Sequence, residues 1–426
     1  MNYDYALLPR AVADAILAYG GSWGHLNTRF DPGEGLIVVT GYSKGQSSGR
    51  STVQVPWLDD HYSKPVSVSP FSGYWYRADP ELHVLGYQAH RRASAVTLDF
   101  FRANVKGFRS PHQTLATFVI TVCEVEGQPD FAGWGVTVDG AARFSLDVVD
   151  DDPDLFLPLG EAWPREKLAS PLVTVIGVGS IGSAACEALS GYAIRNLALV
   201  DPDRLKEHNF ARHRANPRDI GRYKVNAVAN ALQERDKRLK VERYPLDVVH
   251  DADTMRPLFR RSSSILVCSD GVESRRVANH LACRAGTRVV FACVLEDGAF
   301  GEVLQVRPGV TACLFCSREQ LVEKGAMDPE PSLDAGYTTG QRHLPMTAVG
   351  GDLDFVGKFA ARVAVSGILE SLGYLKEKLP GDQAVIGLRP PLEKAEAPFD
   401  VEHTLMVSWN SLGRPSPDCP SCGGES

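Results

Sequence analysis

Two cysteine pairs and a group of charged residues beside a glycine turn are where this sequence could do chemistry. Cys313-Leu-Phe-Cys316 and Cys419-Pro-Ser-Cys422 are CxxC pairs. Each offers two thiolates from a tight turn, and four thiolates complete a tetrahedral zinc site. Such an ion has no open position, so it would pin the C-terminal tail and do no chemistry. Free thiols or a redox pair are the other readings of the same spacing. The chain has nine cysteines, an odd count that speaks against a disulfide framework and for a metal in a reducing compartment.

The second group lies in 173–224. Val173–Ile176 is an apolar run ending in Gly177, and Gly177, Gly179 and Gly182 form a GxGxxG pattern before an alanine-rich helical stretch. A second apolar run, Leu197–Val200, ends at Asp201. Glycines let the backbone approach a phosphate or ribose, a helix N-terminus favours an anion, and the acid can accept ribose hydroxyls. Alone, this fingerprint fits NAD-, FAD- or SAM-binding proteins as well as ATP-binding ones. The residues that follow shift the balance: Asp203, Asn209, Arg212 and Gly221-Arg-Tyr-Lys224. A hydride-transfer site has little use for an arginine and a lysine just past the ribose acid. A triphosphate needs them, because its charge must be neutralised before anything attacks it.

As a set, GVGSIGS, DPDRL, NFAR, GRYK and Ser269-Asp270-Gly271 resemble the ubiquitin-activating-enzyme-like superfamily, the ThiF/MoeB/HesA adenylyltransferases, over residues 165–426. The resemblance implies ATP- and Mg²⁺-dependent adenylation of the C-terminal carboxylate of a ubiquitin-like or sulfur-carrier protein. It implies Asn209, Arg212 and Lys224 at the phosphates, Asp201 and Asp203 at the ribose side, and Asp270 beside the α-phosphate and Mg²⁺. It also implies structural zinc on Cys313, Cys316, Cys419 and Cys422, a homodimer, and a conjugation partner protein. A carboxylate nucleophile is already charged, so positioning and charge neutralisation replace a general base. Two departures stand out. Thioester-forming relatives carry a cysteine in the loop after the first CxxC, whereas 317–418 has none. The family's arginine-rich leading segment is replaced by acids over 145–165, with Arg165 nearby. Cys186, Cys268, Cys283 and Cys293 read as structural; Cys293 is the first suspect should a thioester be found. The alternatives are a non-catalytic scaffold that binds a carrier or active partner and, less favoured, an NAD-dependent oxidoreductase.

Elements alternate around these residues. Strands are expected at Val173–Ile176, Leu197–Val200, Val241–Tyr244, Ser264–Cys268 and Arg288–Ala292. Helices are expected between them, at Ile181–Leu189, Lys224–Leu232, Ala252–Phe259 and Ser274–Ala285. This is the pattern of an α/β, doubly wound, mostly parallel Rossmann-like sheet, with ligands at the strand C-termini. Strands at Glu302–Val306, Gln383–Gly387 and Thr404–Trp409 are added, with a long helix Asp352–Leu372 capped by Asp352. Residues 1–150 read as a small α+β accessory domain, with helices Arg10–Ala18 and Val96–Val105 and several short strands. Residues 151–164 read as an acidic linker stiffened by Pro153 and Pro158. Within the first domain, His83, His90, Thr97 and Asp99 faintly resemble the HxH…SxxD zinc motif of JAB/MPN isopeptidases. Gln88 stands where the first histidine belongs, so the reading is an inactive domain used for binding or docking.

Composition sets outer bounds. The sequence has 426 residues, 44% apolar and 23% charged, with net charge −7. A nucleic-acid partner is not expected from that balance. No run approaches membrane-span length, and the N-terminus lacks a signal-peptide layout, so a cytoplasmic location is expected.

Overall fold

The computed structural model describes residues 4–31, 33–45, 51–52, 71–108, 111, 116–150, 154–295, 298–325, 348–391 and 395–423. They fall into two compact units, Met1–Leu155 and Phe156–Ser426. Pro153 and most of the stretch between the first CxxC and the long helix lie outside the described residues.

The first unit holds β1 (Tyr5–Pro9), α1 (Arg10–Ala18), β2 (Trp23–Asp31), β3 (Leu36–Tyr42), β4 (Ser51–Thr52), β5 (Phe71–Arg77), α2 (Pro80–Arg91), α3 (Leu98–Asn104), β6 (Thr117–Val125), β7 (Gln128–Val136) and β8 (Ala141–Val149). The strands run in the order β1-β8-β7-β6-β5-β2-β3-β4, and β1 also pairs with β3, so the sheet closes on itself. Closure comes from β1 lying parallel to both β8 and β3. Alternation along β6 builds a core on each face. Phe118, Ile120 and Val122 join Val12 and Ile16 of α1 with Trp75. Val119 faces the other way, with Leu82 of α2, Phe101 of α3 and Trp134 of β7. Helix α1 matches its expected bounds, because its apolar period is local. The second expected helix is trimmed to Leu98–Asn104, with Thr97 as N-cap accepting from the Phe100 N–H. Helix α2 and strands β1 and β2 are additions to the sequence reading.

The second unit holds α4 (Arg165–Leu168), β9 (Leu172–Ile176), α5 (Ser180–Gly191), β10 (Asn196–Val200), α6 (Lys224–Arg235), β11 (Lys240–Tyr244), α7 (Ala252–Arg261), β12 (Ser264–Val267), α8 (Val272–Ala285), β13 (Val289–Leu295), β14 (Phe300–Val306), α9 (Leu314–Glu323), α10 (Gly350–Ser371), β15 (Gln383–Gly387) and β16 (Val407–Asn410). Its sheet runs β11-β10-β9-β12-β13-β14-β15-β16. The first five strands are parallel; the last three add antiparallel. Strand order reverses direction between β9 and β12, and a doubly wound sheet opens its ligand crevice at such a point.

Two expectations are corrected. The long helix begins at Gly350 with Val349 as N-cap, and Asp352 falls in its first turn. The last strand is Val407–Asn410; Leu405 takes a positive φ of 65°, which a continuous strand from Thr404 would not allow. A buried pair fastens the antiparallel half. The Arg318 guanidinium of α9 donates to both oxygens of Glu302 on β14, and Gln383 of β15 donates to Glu302 Oε1 at 2.6 Å. Burial works to raise the Glu302 pKa, but Arg318 and Gln383 more than offset it and hold the carboxyl ionised.

Candidate functional site

The glycine turn sits at the strand reversal. Gly177 has φ +79°, and a Cβ there would stand 2.8 Å from the Ser269 nitrogen after β12. Only glycine lets the loops after β9 and β12 touch. A Cβ on Gly182 would sit 1.9 Å from the Gly177 carbonyl, so this glycine packs α5 against the turn. Gly179 differs: nothing lies within 4 Å of its missing Cβ, which leaves an open approach on the ligand side. Gly179 is also the N-cap of α5 and supplies no side-chain cap, so the first-turn N–H groups are available to an anion.

Four of the sequence-predicted charged residues come together beside this turn. Asp201 is buried at the end of β10. Its Oδ2 accepts the Val178 N–H at 2.8 Å and its Oδ1 accepts the Asp203 N–H at 2.9 Å. Asp203 lies at the rim with its side chain 67% exposed, and Lys224 Nζ donates to its Oδ2 at 2.7 Å. The Lys224 backbone N–H also donates to the Asp203 carbonyl. Residues 203–205 and 221–224 close on each other through Leu205–Arg222 and Gly221–Leu205 backbone bonds. Arg204 covers the Tyr223 ring at 4.0 Å. That zipper is why acids and lysine distant in sequence share one spot. Burial pushes the Lys224 pKa down, but the charges of Asp201, Asp203 and Asp270 together raise it, so the ammonium is held charged. Burial pushes Asp201 up, and Lys224 and the two N–H donors counter that only in part. Three acids thus act electrostatically on one lysine beside the glycine turn.

Asp270 is exposed just past β12. Its carbonyl and that of Gly271 accept from Arg275 in the first turn of α8. Ser274 donates to Ser269 Oγ at 2.7 Å and fixes the same turn. Asn209 and Arg212 lie on a 3-10 turn, Glu207–Ala211 and the residue after it. Asn209 Oδ1 accepts the Lys206 N–H at 2.8 Å and closes that turn.

His213 ties the turn to the glycine loop. Its Nε2–H donates to the Val178 carbonyl at 2.8 Å, its Nδ1 accepts the Ala215 N–H, and Arg214 N–H reaches Ser183 Oγ. Burial, together with the Lys224 charge, lowers the His213 pKa to about 4, against the pull of Val178, so the ring is neutral. Sequence reasoning noted Arg275 only as lying on the helix after Asp270, and passed over His213 and Ser274. Their signal was only adjacency to residues already chosen, because burial and backbone partners leave no local pattern.

The cysteines form a separate site. Cys313 is the N-cap of α9 and Cys316 stands in its first turn. Their sulfurs are 3.9 Å apart, Cys313 to Cys419 is 3.7 Å, and Cys316 to Cys422 is 3.7 Å. Sulfurs at the ordinary Zn–S distance of about 2.3 Å from a tetrahedral ion stand about 3.8 Å apart. The four thiols therefore fit such an ion and are too far apart for disulfides. Asn279 Oδ1 accepts the Leu314 N–H at 3.0 Å, and Arg284 donates to the Pro420 carbonyl, so α8 holds both pairs. Asn279 thus serves the cysteine knuckle. Cys293 is 5% exposed, and burial with Glu302 nearby raises its thiol to about 11. It is no ready nucleophile, which corrects its standing as first suspect for a thioester.

The isopeptidase-like residues do not assemble. His83 is buried in α2, while Gln88 and His90 are exposed. His90 lies two turns on, about 10 Å along the helix axis. Thr97 caps α3 and Asp99 is 97% exposed.

Fold and site together define an α/β protein with a glycine turn at the strand reversal of a doubly wound sheet. The ThiF family model matches residues 154–386, more than half of the sequence, and the chain belongs to the ThiF family. It is 28% identical over 197 residues to ubiquitin-like modifier-activating enzyme 5 of Caenorhabditis elegans, covering 43% of this chain and 47% of the relative. It is 28% identical over 177 residues to the sulfur carrier protein ThiS adenylyltransferase of Bacillus subtilis, covering 41% and 51%. The chain spans about half the length of the curated relatives it matches. Among solved structures, E. coli MccB with ATP is similar at TM-score 0.44 and 17% identity, covering 61% of this chain and 68% of that one. PaaA is similar at TM-score 0.41 and 18% identity, covering 53% and 63%. Among the described residues no helix is long and apolar enough to cross a membrane.

Proposed function

We propose that this chain activates a carboxylate by adenylation, using ATP and Mg²⁺, and that the carboxylate is the C-terminus of a ubiquitin-like or sulfur-carrier protein. The observation that carries the reading is Lys224 held charged among Asp201, Asp203 and Asp270 beside the glycine turn. The named activities of the curated relatives support it. A carboxylate oxygen attacks the α-phosphorus, the bond to the bridging oxygen breaks, and pyrophosphate leaves.

In this reading the α5 N-terminus and Gly179 receive phosphate oxygens. Asp203, exposed at the rim, accepts ribose hydroxyls, while Asp201 orients the glycine loop and Asp203 through their N–H groups. Arg212, Asn209 and Lys224 face the phosphates. Asp270 holds Mg²⁺, which would neutralise charge on the phosphate oxygens. Zinc on Cys313, Cys316, Cys419 and Cys422 holds the C-terminal tail against α8 and α9. The adenylation unit, 165–426, works as a homodimer, the common closed symmetry. With no cysteine in 317–418 and Cys293 buried, the acyl-adenylate passes to a nucleophile outside this chain, on a conjugation partner protein. Nine unbridged cysteines suit a reducing compartment such as the cytoplasm.

The test is ATP–pyrophosphate exchange with candidate carriers. Wild type exchanges with its carrier, and Asp270→Ala loses exchange by ~10²–10³-fold with an unchanged circular dichroism spectrum. A wild type that neither exchanges nor binds ATP overturns the reading in favour of a scaffold.

A further inference from the structure

The first unit contains a second set of metal-type ligands, unrelated to the four cysteines. Strands β6 and β7 pair so that Cys123 stands opposite Asp130. Their side chains therefore share a face, with Thr121 two residues back on the same side. Helix α2 lowers His83 onto that face. One ring nitrogen of His83, the Cys123 sulfur and an Asp130 oxygen all lie within 4.8 Å of one another. The imidazole is held at both ends, with Nδ1 2.7 Å from Asp130 Oδ2 and Nε2 2.6 Å from Thr121 Oγ1. Trp134 Nε1–H donates to the same threonine oxygen at 2.7 Å.

We propose that His83, Cys123 and Asp130 bind a divalent cation of the zinc class. One imidazole, one thiolate and one carboxylate make a borderline donor set of the kind zinc takes. Ligand atoms about 2.0–2.3 Å from a tetrahedral ion stand roughly 3.3–3.8 Å apart, so side-chain rotation gathers this set without moving the sheet. A metal-bound histidine ordinarily has its other nitrogen fixed by an outer partner, and Thr121, itself held by Trp134, is in place to do that.

Access fits as well. The His83 and Asp130 side chains are 1% and 41% exposed, so the ion enters past the carboxylate. The fourth position then points to solvent and takes a water. On binding, the Nδ1 proton moves to Nε2, which donates to Thr121 Oγ1, an oxygen with a second lone pair to accept it. The Cys123 proton leaves to solvent. Arg143 is the cation facing the group: it donates to the His83 carbonyl at 3.0 Å, and its charge is felt by Asp130 and Cys123. It opposes the ion and sets affinity below that of the four-cysteine site.

The competing account is a plain hydrogen-bonded His83–Asp130 pair that fastens α2 to the hairpin. Metal content separates the two. The full-length chain, purified with zinc and freed of loose metal, should carry about two zinc ions, and Cys123→Ala about one. Asp130→Asn keeps a hydrogen-bond acceptor for His83, so it should lose the same ion while its thermal midpoint without metal stays near wild type. Cobalt substitution should give a thiolate charge-transfer band that weakens in Cys123→Ala. If wild type carries one ion and Cys123→Ala none, the site stands and the four-cysteine reading is what fails. Equal zinc content in wild type and Cys123→Ala, whether one or two, overturns the proposal.

Discussion

The two sheets of this protein treat polar groups in opposite ways. The parallel sheet of the second unit is open, and its strand order reverses between β9 and β12. Asp203 and Asp270 stand exposed at that rim. The sheet of the first unit closes through β1, so no such crevice arises from strand order. There the polar chain Trp134–Thr121–His83–Asp130 lies under α2, each member bonded to the next. Where topology leaves a gap, charges remain available to a ligand. In the closed sheet they bond one another first, because an unpaired buried polar group costs roughly 1–3 kcal/mol, and a ligand must come in past the partly exposed Asp130.

The largest blow to this contrast should fall on the second unit's tail. Cys313→Ser removes one ligand of the four-sulfur cluster. It should lose the ion there and lower that unit's stability by several kcal/mol, a fraction of the ~10–16 kcal/mol that structural zinc contributes to zinc-finger peptides. Metal analysis alongside urea unfolding reads both, and a fully stable, metal-free protein would sink the structural role.

Next comes Trp134→Ala, expected to cost ~3–5 kcal/mol because the indole is fully buried and holds Thr121. Pyrophosphate exchange should survive at permissive temperature, the reverse of Asp270→Ala. If both variants lost stability and exchange alike, the division of labour between the sheets would be wrong.

Acid should act through His213. The unfolded chain takes up its proton near 6.5, whereas the folded ring does so only near 4. Between those values the unfolded state binds more protons, so stability is fully present above about pH 6.5 and falls as pH drops toward 4. The loss is roughly 3 kcal/mol by the lower end. Urea midpoints at neutral and acid pH should converge more in His213→Gln than in wild type. An equal acid loss in both would show that other groups are responsible. The smallest effect is Thr97→Ala, which removes the N-cap of α3 and should cost about 1 kcal/mol in the first unit alone.

Local pattern carried much of this protein. The apolar runs of β9 and β10, the GxGxxG turn between them, helix α1 and the two CxxC pairs were all readable, because each is written in neighbouring residues with its own period or turn chemistry. Pairing between distant segments was not. Nothing near Tyr5–Pro9 announces that β1 will join both β8 and β3, so the small α+β domain was read without the closure of its sheet. His83 drew notice for its distance from His90, yet its actual partners come from a hairpin far along the chain. Asp201 was visible as a strand-end acid. That both its oxygens meet backbone N–H groups, leaving Asp203 facing solvent, depended on how the glycine turn folds over it. Sequence fixes periodicity and donor type, which are properties of single residues and their neighbours. Which donor meets which acceptor is decided by strand order and register, and those exist only once the whole sheet has formed.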